Sequence, residues 1–333
     1  MSELVTIVVV PRDRFSSAIE CVESILQHTH VPIRLAILDF GYPLGVLEQV
    51  KRVVGQLVPL EIVPCGRTIP MAAFRDYVAK ITTPYTAWVD NDTYVTPGWM
   101  TALLARASAG AKVILPITLE CEGLDVDRQK LPLRNHVSHA ELRKVTVDGK
   151  DYVFDYKPFR RAAPEALPKE AATIDFFELH TFFAETEVLR KLDLPPMVVR
   201  EHIDIGIQLH RMGIPIWNEP QAVVHFDNIQ HRPTMADLRF FFYRWDEKKI
   251  DASHQLFRER WGYDFYNEQF MKNWSFRRKV YSVCRYIGLP QKPADFVSRV
   301  FNKLLRKPIP EKLRKDPLQE STLVMQREPS LNR

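Results

Sequence analysis

Short runs of apolar, often β-branched residues alternate with longer amphipathic segments over the first third of the chain. The apolar runs occupy residues 4–10, 33–39, 60–63 and 85–89. Their length and nearly continuous hydrophobicity are typical of strands buried on both faces of a parallel sheet. The segments between them have helical periodicity, and Ser17 with Glu20 predicts a capping box at the start of the first helix. This β-α-β-α-β-α-β order predicts an α/β fold with right-handed crossovers.

The regular pattern breaks after residue 116 and later resumes. From residue 120 to about 173 it is irregular, apart from a hairpin predicted around Asp148-Gly149. A helix over residues 202–212 and a strand over 222–226 follow. An insertion between core elements is where substrate-binding loops tend to lie.

These patterns divide the chain into three parts. We predict a domain over residues 1–230, with a nucleotide-binding part (1–116) and an acceptor-side part (117–230). A helical C-terminal extension follows over residues 231–307. Residues 308–333 are rich in proline and charge, so we expect a loosely attached tail there.

Composition places the chain in the ordinary globular class. Of 333 residues, 46% are hydrophobic and 26% charged, which is enough to bury a sizeable core. The four cysteines lack C-x-x-C spacing, so neither a zinc site nor a disulfide framework is expected. With no apolar run of membrane-spanning length and no signal-peptide pattern, we expect a cytoplasmic protein.

The formal charge of +5 is modest, but the basic residues concentrate near the end of the chain. Over residues 277–315 they alternate with apolar residues at helical spacing. Such a pattern is more typical of a solvated helical pair packed on the domain, and it also fits a helix that lies on an anionic membrane surface. No nucleic-acid-binding module accompanies the charge, so nucleic acid is not an expected partner.

Two acids follow the fourth predicted strand, at Asp90-Asn91-Asp92, and Pro97-Gly98-Trp99 comes soon after them. In open α/β sheets, ligands bind beyond the carboxyl ends of the strands. One carboxylate of this pair can address a ribose and the other a metal ion on a diphosphate, and such hard oxygen ligands suit Mn²⁺ or Mg²⁺. The alternative is that both acids only bond the backbone of a turn.

Two further residues within positions 1–116 are candidates for nucleotide binding. Asp39 also ends a predicted strand, where it can accept a hydrogen bond from uracil or from a ribose hydroxyl. Its alternative role is an Asx-turn before Gly41. Arg75 precedes the Asp90 strand, and its guanidinium can neutralise a diphosphate or form a surface salt bridge.

A third acidic cluster opens the predicted helix at residue 201. Glu201 and Asp204 lie three residues apart and therefore share one helix face, with His202 beside them. A general base for an acceptor hydroxyl is expected here, although acids at a helix start are also stabilised by its dipole. His225, at the end of the last predicted strand, is a candidate metal ligand together with Asp92.

The order of these motifs resembles that of family-two glycosyltransferases. The matching segments are residues 5–11, 18–29, 38–41, 88–99, 201–213 and 220–225. The resemblance implies the GT-A fold, a Rossmann-like, mostly parallel mixed sheet flanked by helices, here with a helical C-terminal extension. It also implies transfer with inversion from a UDP- or GDP-type sugar donor to a glycan, lipid-linked or small-molecule acceptor.

The same resemblance implies roles for individual residues. Asp39 is expected on the base or ribose, and Asp90 on the ribose or metal. Pro11, at the end of the first matching segment, and Arg75 are further candidates for nucleotide binding. The metal ligands implied are Asp90, Asp92 and His225, and the base is expected among Glu201, His202 and Asp204.

Two positions depart from the family pattern, and they keep other functions open. His202 stands where the family has its catalytic aspartate, and Phe40 where a second acid is usual. A degenerate fold that acts as a nucleotide- or glycan-binding scaffold is therefore one alternative. A nucleotidyltransferase is another, but the segment Pro11–Arg14 lacks the glycines of a phosphate-binding loop.

Overall fold

A computed structural model describes residues 3–121, 132–227 and 232–325 of the chain. The first elements alternate as the sequence predicts. They are β1 (Val5–Val10), α1 (Ala18–His28), β2 (Ile33–Asp39), α2 (Leu44–Val54), β3 (Leu60–Pro64), α3 (Pro70–Val78), β4 (Tyr85–Asp90), β5 (Thr93–Val95) and α4 (Trp99–Ser108). Ser17 precedes α1, but its side chain makes no cap hydrogen bond, and its hydroxyl contacts Arg14 instead. The predicted capping box is therefore wrong.

The remaining elements mix strands and helices and end in a run of helices. The strands are β6 (Val113–Cys121), β7 (Leu133–Val137), β8 (Glu141–Val147), β9 (Lys150–Tyr156), β10 (Ala172–Ile174), β11 (Thr181–Glu185), β12 (Ile216–Phe226), β13 (Asp264–Phe265) and β14 (Thr322–Leu323). The helices are α5 (Thr186–Lys191), α6 (Glu201–Arg211), α7 (Met235–Arg244), α8 (Glu247–Trp261), α9 (Glu268–Tyr286) and α10 (Gln291–Leu305). The helical C-terminal extension is thus confirmed.

The central sheet is mixed, as expected, and its strands β1 to β4 run parallel to one another. Its strand order is β10-β12-β6-β11-β4-β1-β2-β3, with β5 paired to β12 and β7 to β6. β1 pairs in parallel with both β2 and β4, whereas β11 runs antiparallel to β4 and β6. The residues just before β11 therefore lie beside the carboxyl end of β4, which is the edge where a ligand is expected.

Both faces of this sheet are covered by helices, which is why its strands are almost continuously apolar. Val9 packs on one face with residues of α1, α2 and α4. Val8 packs on the other with residues of α3, α5 and α6. Among the described helices, none combines the length and apolar character that crossing a membrane requires.

A second, smaller sheet has the strand order β13-β9-β8-β14. Its β8–β9 hairpin turns at Asp148 and Gly149, both with positive φ, so the predicted hairpin is confirmed. The last strand comes from the segment expected to be a loose tail. Thr322 and Leu323 pair with β8, and Met325 is buried in the core beneath. The tail is thus held on the domain at least as far as residue 325, because a β-strand pairing and a buried side chain attach it.

Gly206 allows α6 to pack closely on the segment before β11. A Cβ at this position would lie 3.1 Å from Cβ of Phe176 and closer still to the carbonyl oxygen of Asp175. We expect Gly206→Ala to lower the free energy of unfolding by roughly 2–3 kcal/mol, since backbone must shift to make room. Gly45→Ala is the matched control, because its Cβ would meet nothing and the change should stabilise α2 by roughly 0.5–1 kcal/mol. Urea unfolding of both variants measures the difference, and equal stability would contradict the close packing.

Candidate active site

The turn after β4 carries two acids on either side of a buried asparagine. The side chain of Asn91 donates to the carbonyl oxygen of Arg14 at 2.6 Å and accepts from the backbone N–H of Arg12 at 3.1 Å. These bonds join the turn to the segment after β1. Asn91 therefore has a structural role, and it holds Asp90 and Asp92 at the carboxyl edge of the sheet.

Asp90 and Asp92 are both buried, at 1% and 3% exposure. Asp90 accepts from the indole N–H of Trp88 at 2.9 Å and lies 3.3 Å from a guanidinium nitrogen of Arg12. Burial raises the pKa of Asp90 to about 8 although Arg12 opposes the shift, and burial raises the pKa of Asp92 to about 6. Oδ1 of Asp92 is buried without a hydrogen-bond partner among the described residues. Such an oxygen is costly to bury unless a ligand satisfies it.

A histidine from another part of the chain completes a cluster with these acids. Asp90, Asp92 and His180 bring one ligand atom each within 4.8 Å of one another. His180 immediately precedes β11, and the backbone N–H of Asp90 donates to its carbonyl oxygen at 2.7 Å. Burial, and then the positive charge of Arg12, hold the pKa of His180 well below its ordinary value, so the imidazole is neutral. The spacing of residues along the sequence gave no signal for His180, because it reaches the acids through the position of β11, which runs antiparallel between β4 and β6.

A second group with metal-ligating side chains shares that histidine. His136, Glu178 and His180 also bring ligand atoms within 4.8 Å of one another. Burial opposes the ionisation of Glu178, but Lys157 and His202 outweigh it and hold its pKa well below the ordinary range. Glu178 is therefore a negative charge beside the histidines.

His225 lies in β12, opposite Tyr94 on β5 and Leu119 on β6. Its neighbour Phe226 faces the cluster, with its ring centre 4.1 Å from that of His180. Within the described residues, the groups that bring three metal-ligating side chains together do not include His225. Its role as a metal ligand stays a prediction.

A cavity of about 270 Å³ opens beside Asp90. It is lined by charges of both signs. The cations are Arg12, Lys157, Arg160, Arg200, Arg244 and Arg278, and the acids are Asp13, Asp90, Glu120, Asp155, Glu178 and Glu201. The Nε–H groups of four of these arginines, Arg12, Arg200, Arg244 and Arg278, are buried and have no hydrogen-bond partner among the described residues. An anion in the cavity would supply the acceptors that these donors lack.

The helical extension forms one wall of this cavity. Arg244 ends α7 and donates to the carbonyl oxygen of Arg12 at 2.8 Å, while Arg278 of α9 lies 3.1 Å from the carboxylate of Asp13. Trp245 and Trp274 meet edge to face beside them, with ring centres 4.9 Å apart. Neither Arg244 nor Arg278 was among the site residues predicted from the sequence.

Helix α6 brings two of its three candidate bases to the cavity. It begins after Arg200, whose φ of 71° turns the chain into the helix. Glu201 and His202 line the cavity, and Oε2 of Glu201 and Nε2 of His202 have no hydrogen-bond partner among the described residues. Neither heteroatom is therefore engaged by another group of the described protein.

Asp204 does not line the cavity. Its fully buried carboxylate accepts hydrogen bonds from Gln208 at 2.5 Å, from Nε of Arg260 at 2.7 Å and from the indole of Trp261 at 2.7 Å. These contacts tie α6 to the end of α8. The geometry gives Asp204 a structural role.

Asp204→Ala should therefore affect stability more than turnover. We expect a loss of roughly 2–4 kcal/mol in unfolding free energy, because three donors lose their buried acceptor. Asp193→Ala is the matched control. Asp193 pairs with the same Arg260 at 2.5 Å but is 68% exposed, so its loss should cost less than about 1 kcal/mol. Chemical denaturation measures both; a large loss of turnover at unchanged stability would return Asp204 to the candidate bases.

The remaining candidates for nucleotide binding lie outside the cavity lining. Oδ1 of Asp39 accepts from the backbone N–H groups of Gly41 and Tyr42, both at 2.8 Å, which is the Asx-turn considered as the alternative. Arg75 is exposed and pairs with its neighbour Asp76. Pro11 follows β1, and its carbonyl oxygen lies 3.5 Å from a guanidinium nitrogen of Arg244.

Comparison with known proteins agrees with this architecture. The family model described as "Glycosyl transferase family 2" matches residues 6–167. A crystal structure of GalNAc-T7 with UDP, GalNAc and Mn²⁺ superposes with a TM-score of 0.51 at 15% identity, over 86% of this chain and 59% of that one. The chain therefore spans little more than half of that protein. No curated protein matches the sequence. The family model confirms the resemblance over residues 6–167, and the motifs at residues 201–213 and 220–225 lie beyond its match. The solved structure confirms the GT-A fold.

Proposed function

Starting from the match of residues 6–167 to family-two glycosyltransferases, we propose that this protein transfers a sugar from a nucleoside-diphosphate sugar to an acceptor hydroxyl. The observation that carries the proposal is the cavity beside Asp90. It combines buried guanidinium donors that lack acceptors with an adjacent cluster of metal-ligating side chains. A diphosphate with its divalent cation is the ligand that fits both.

The residues at the Asp90–Asp92 turn fit a divalent cation. Oδ1 of Asp92 is buried without a partner, and carboxylate oxygens are ligands that Mg²⁺ and Mn²⁺ accept. The neutral imidazole of His180 favours Mn²⁺ of the two, because Mg²⁺ prefers oxygen alone. When bound, the ion would help to neutralise the charge of the leaving diphosphate. Arg12 contacts Asp90 and His180, so Asp92 offers the ligand atom with the least competition.

The cavity arginines would bind the diphosphate of the donor. Arg244 and Arg278 come from the helical extension, whereas Arg12 comes from the segment after β1. Each carries a buried Nε–H without an acceptor. Charge-assisted hydrogen bonds from guanidinium groups to phosphate oxygens are stronger than neutral ones, and they favour departure of the nucleoside diphosphate.

Proton transfer falls to α6. As the acceptor oxygen bonds to the anomeric carbon, the bond from that carbon to the diphosphate oxygen breaks, and a base takes the hydroxyl proton. Glu201 and His202 both line the cavity with a free heteroatom. Glu178, which is ionised, would stabilise a positive charge on His202. A direct displacement of this kind inverts the anomeric centre.

One assay separates this function from the two alternatives. The purified protein is incubated with UDP- and GDP-sugars, with Mn²⁺ or with a chelator, and the released nucleotide is identified. We expect nucleoside diphosphate, and less of it with the chelator. If no nucleotide is released but the donor still raises the melting temperature of the protein, a binding scaffold is favoured. Pyrophosphate release from a nucleoside triphosphate and a sugar phosphate would favour a nucleotidyltransferase.

A further inference from the structure

Helix α10 directs a row of large apolar side chains to solvent. The exposed residues are Phe296, Val300, Phe301, Leu304 and Leu305. Phe296 and Leu304 expose 67% and 75% of their surface. Phe296, Val300 and Leu304 are spaced four residues apart and so share one face of the helix. The opposite face packs through Ala294 and Ser298, which are buried. We call the side formed by Phe296, Val300 and Leu304 the α10 face, and each of these three residues exposes more than a third of its surface.

Positive charge surrounds the α10 face. Lys292, Lys303 and Lys307 form no ion pair with another described residue. Asp295 is the single acid of α10, and it is neutralised by Arg277 at 2.5 Å and Arg299 at 2.7 Å. The face therefore presents apolar side chains between uncompensated lysines.

We propose that the α10 face docks on an anionic phospholipid surface. The lysines can bind the anionic headgroups of such a surface. The apolar side chains between them can insert toward the acyl chains that lie beneath the headgroups. A second copy of this chain is a poorer occupant, because a symmetric contact would bring the same lysines against one another. The positive charge of the lysines therefore favours an anionic lipid surface over a second copy of this chain.

The docking face lies close to the cavity. The side-chain amide of Asn273 on α9 donates to the carbonyl oxygen of Lys307, just beyond the end of α10, at 3.1 Å. Phe270, one turn before Asn273, lines the cavity and is half exposed. A bilayer on the α10 face would therefore lie near the cavity rim. If the proposed transfer holds, on which this step rests, the acceptor is carried on a lipid.

Vesicle sedimentation tests the docking without any need for activity. The full-length protein is mixed with vesicles of phosphatidylcholine alone or with an equal part of phosphatidylglycerol. We expect binding to the mixed vesicles that weakens with added salt. The Lys303→Gln/Lys307→Gln variant should bind about 25-fold more weakly, since each lysine near an anionic surface contributes about fivefold. The Phe296→Asp/Leu304→Asp variant should lose at least about tenfold.

A matched control places two aspartates at equally exposed leucines elsewhere. Leu44 and Leu57, at and after α2, expose 78% and 73% of their surface, and the Leu44→Asp/Leu57→Asp variant should bind as the wild type does. The proposal is overturned if the wild type does not bind the mixed vesicles, or if the α10 variants bind them as tightly as the wild type does. It is also overturned if the protein only self-associates through α10. Nucleotide release measured without vesicles reports separately on the proposed transfer.

Discussion

Replacing Asp92 with asparagine should reduce metal-dependent nucleotide release by about a thousandfold, since a metal ion that stabilises a leaving group contributes several kcal/mol to the transition state. The change keeps the volume of the side chain but removes the charge that a divalent cation requires. Oδ1 of Asp92 has no hydrogen-bond partner to lose among the described residues, so the fold should persist. Release is measured with saturating donor across a Mn²⁺ titration, and Mn²⁺ binding is measured by calorimetry.

Asp76→Asn provides the control for this experiment. Asp76 is 68% exposed and pairs with Arg75 on the surface, so its loss should leave both release and Mn²⁺ affinity unchanged. If Asp92→Asn retained wild-type release and wild-type Mn²⁺ affinity, Asp92 would have no metal role. If His225→Ala abolished Mn²⁺ binding and Asp92→Asn did not, the cation would lie at His225 on β12 and not at the cluster that includes His180.

The second large effect concerns the base on α6. One of the variants Glu201→Gln and His202→Asn should lower kcat by about 10²–10⁴-fold, the usual contribution of a positioned general base. Donor affinity should be unchanged in that variant, because the base acts on the acceptor hydroxyl. Single-turnover experiments measure the rate of sugar transfer, and thermal stabilisation by nucleotide measures donor affinity.

Asp204→Asn is the comparison for both base variants, since it lies on the same helix but away from the cavity. It should retain turnover at temperatures below its own unfolding. Should both Glu201→Gln and His202→Asn turn over donor as the wild type does, the base lies outside α6. A loss of donor affinity in step with turnover would instead assign the residue to binding.

Much of the fold could be predicted because its signals are local. Val8 and Val9 belong to a nearly continuous apolar run, and helical periodicity separates that run from the next. Asp148 and Gly149 identified a hairpin from two residues. The prediction of a capping box also failed for a local reason, since the hydroxyl of Ser17 accepts a hydrogen bond from Arg14. Composition could not predict the attachment of the tail up to residue 325, because the pairing of Thr322 with β8 is a long-range contact.

The candidate site was predictable only in part. Asp90 and Asp92 could be found because the end of an apolar strand is visible in the sequence and ligands bind at that edge. Glu201 and His202 followed from their position at a helix start. Asp204 could not be separated from them, because its partners Arg260 and Trp261 lie more than fifty residues away along the chain.

By itself, the sequence determined the order of strands and helices and the placement of Asp90 and Asp92 at the carboxyl edge of the sheet. Those features depend on hydrophobic periodicity, which neighbouring residues encode. Only the tertiary structure brought His180 to those acids and Arg244 and Arg278 to the cavity wall. That juxtaposition depends on a reversed strand and on helices folded back over the sheet edge, and spacing along the chain does not encode such distances.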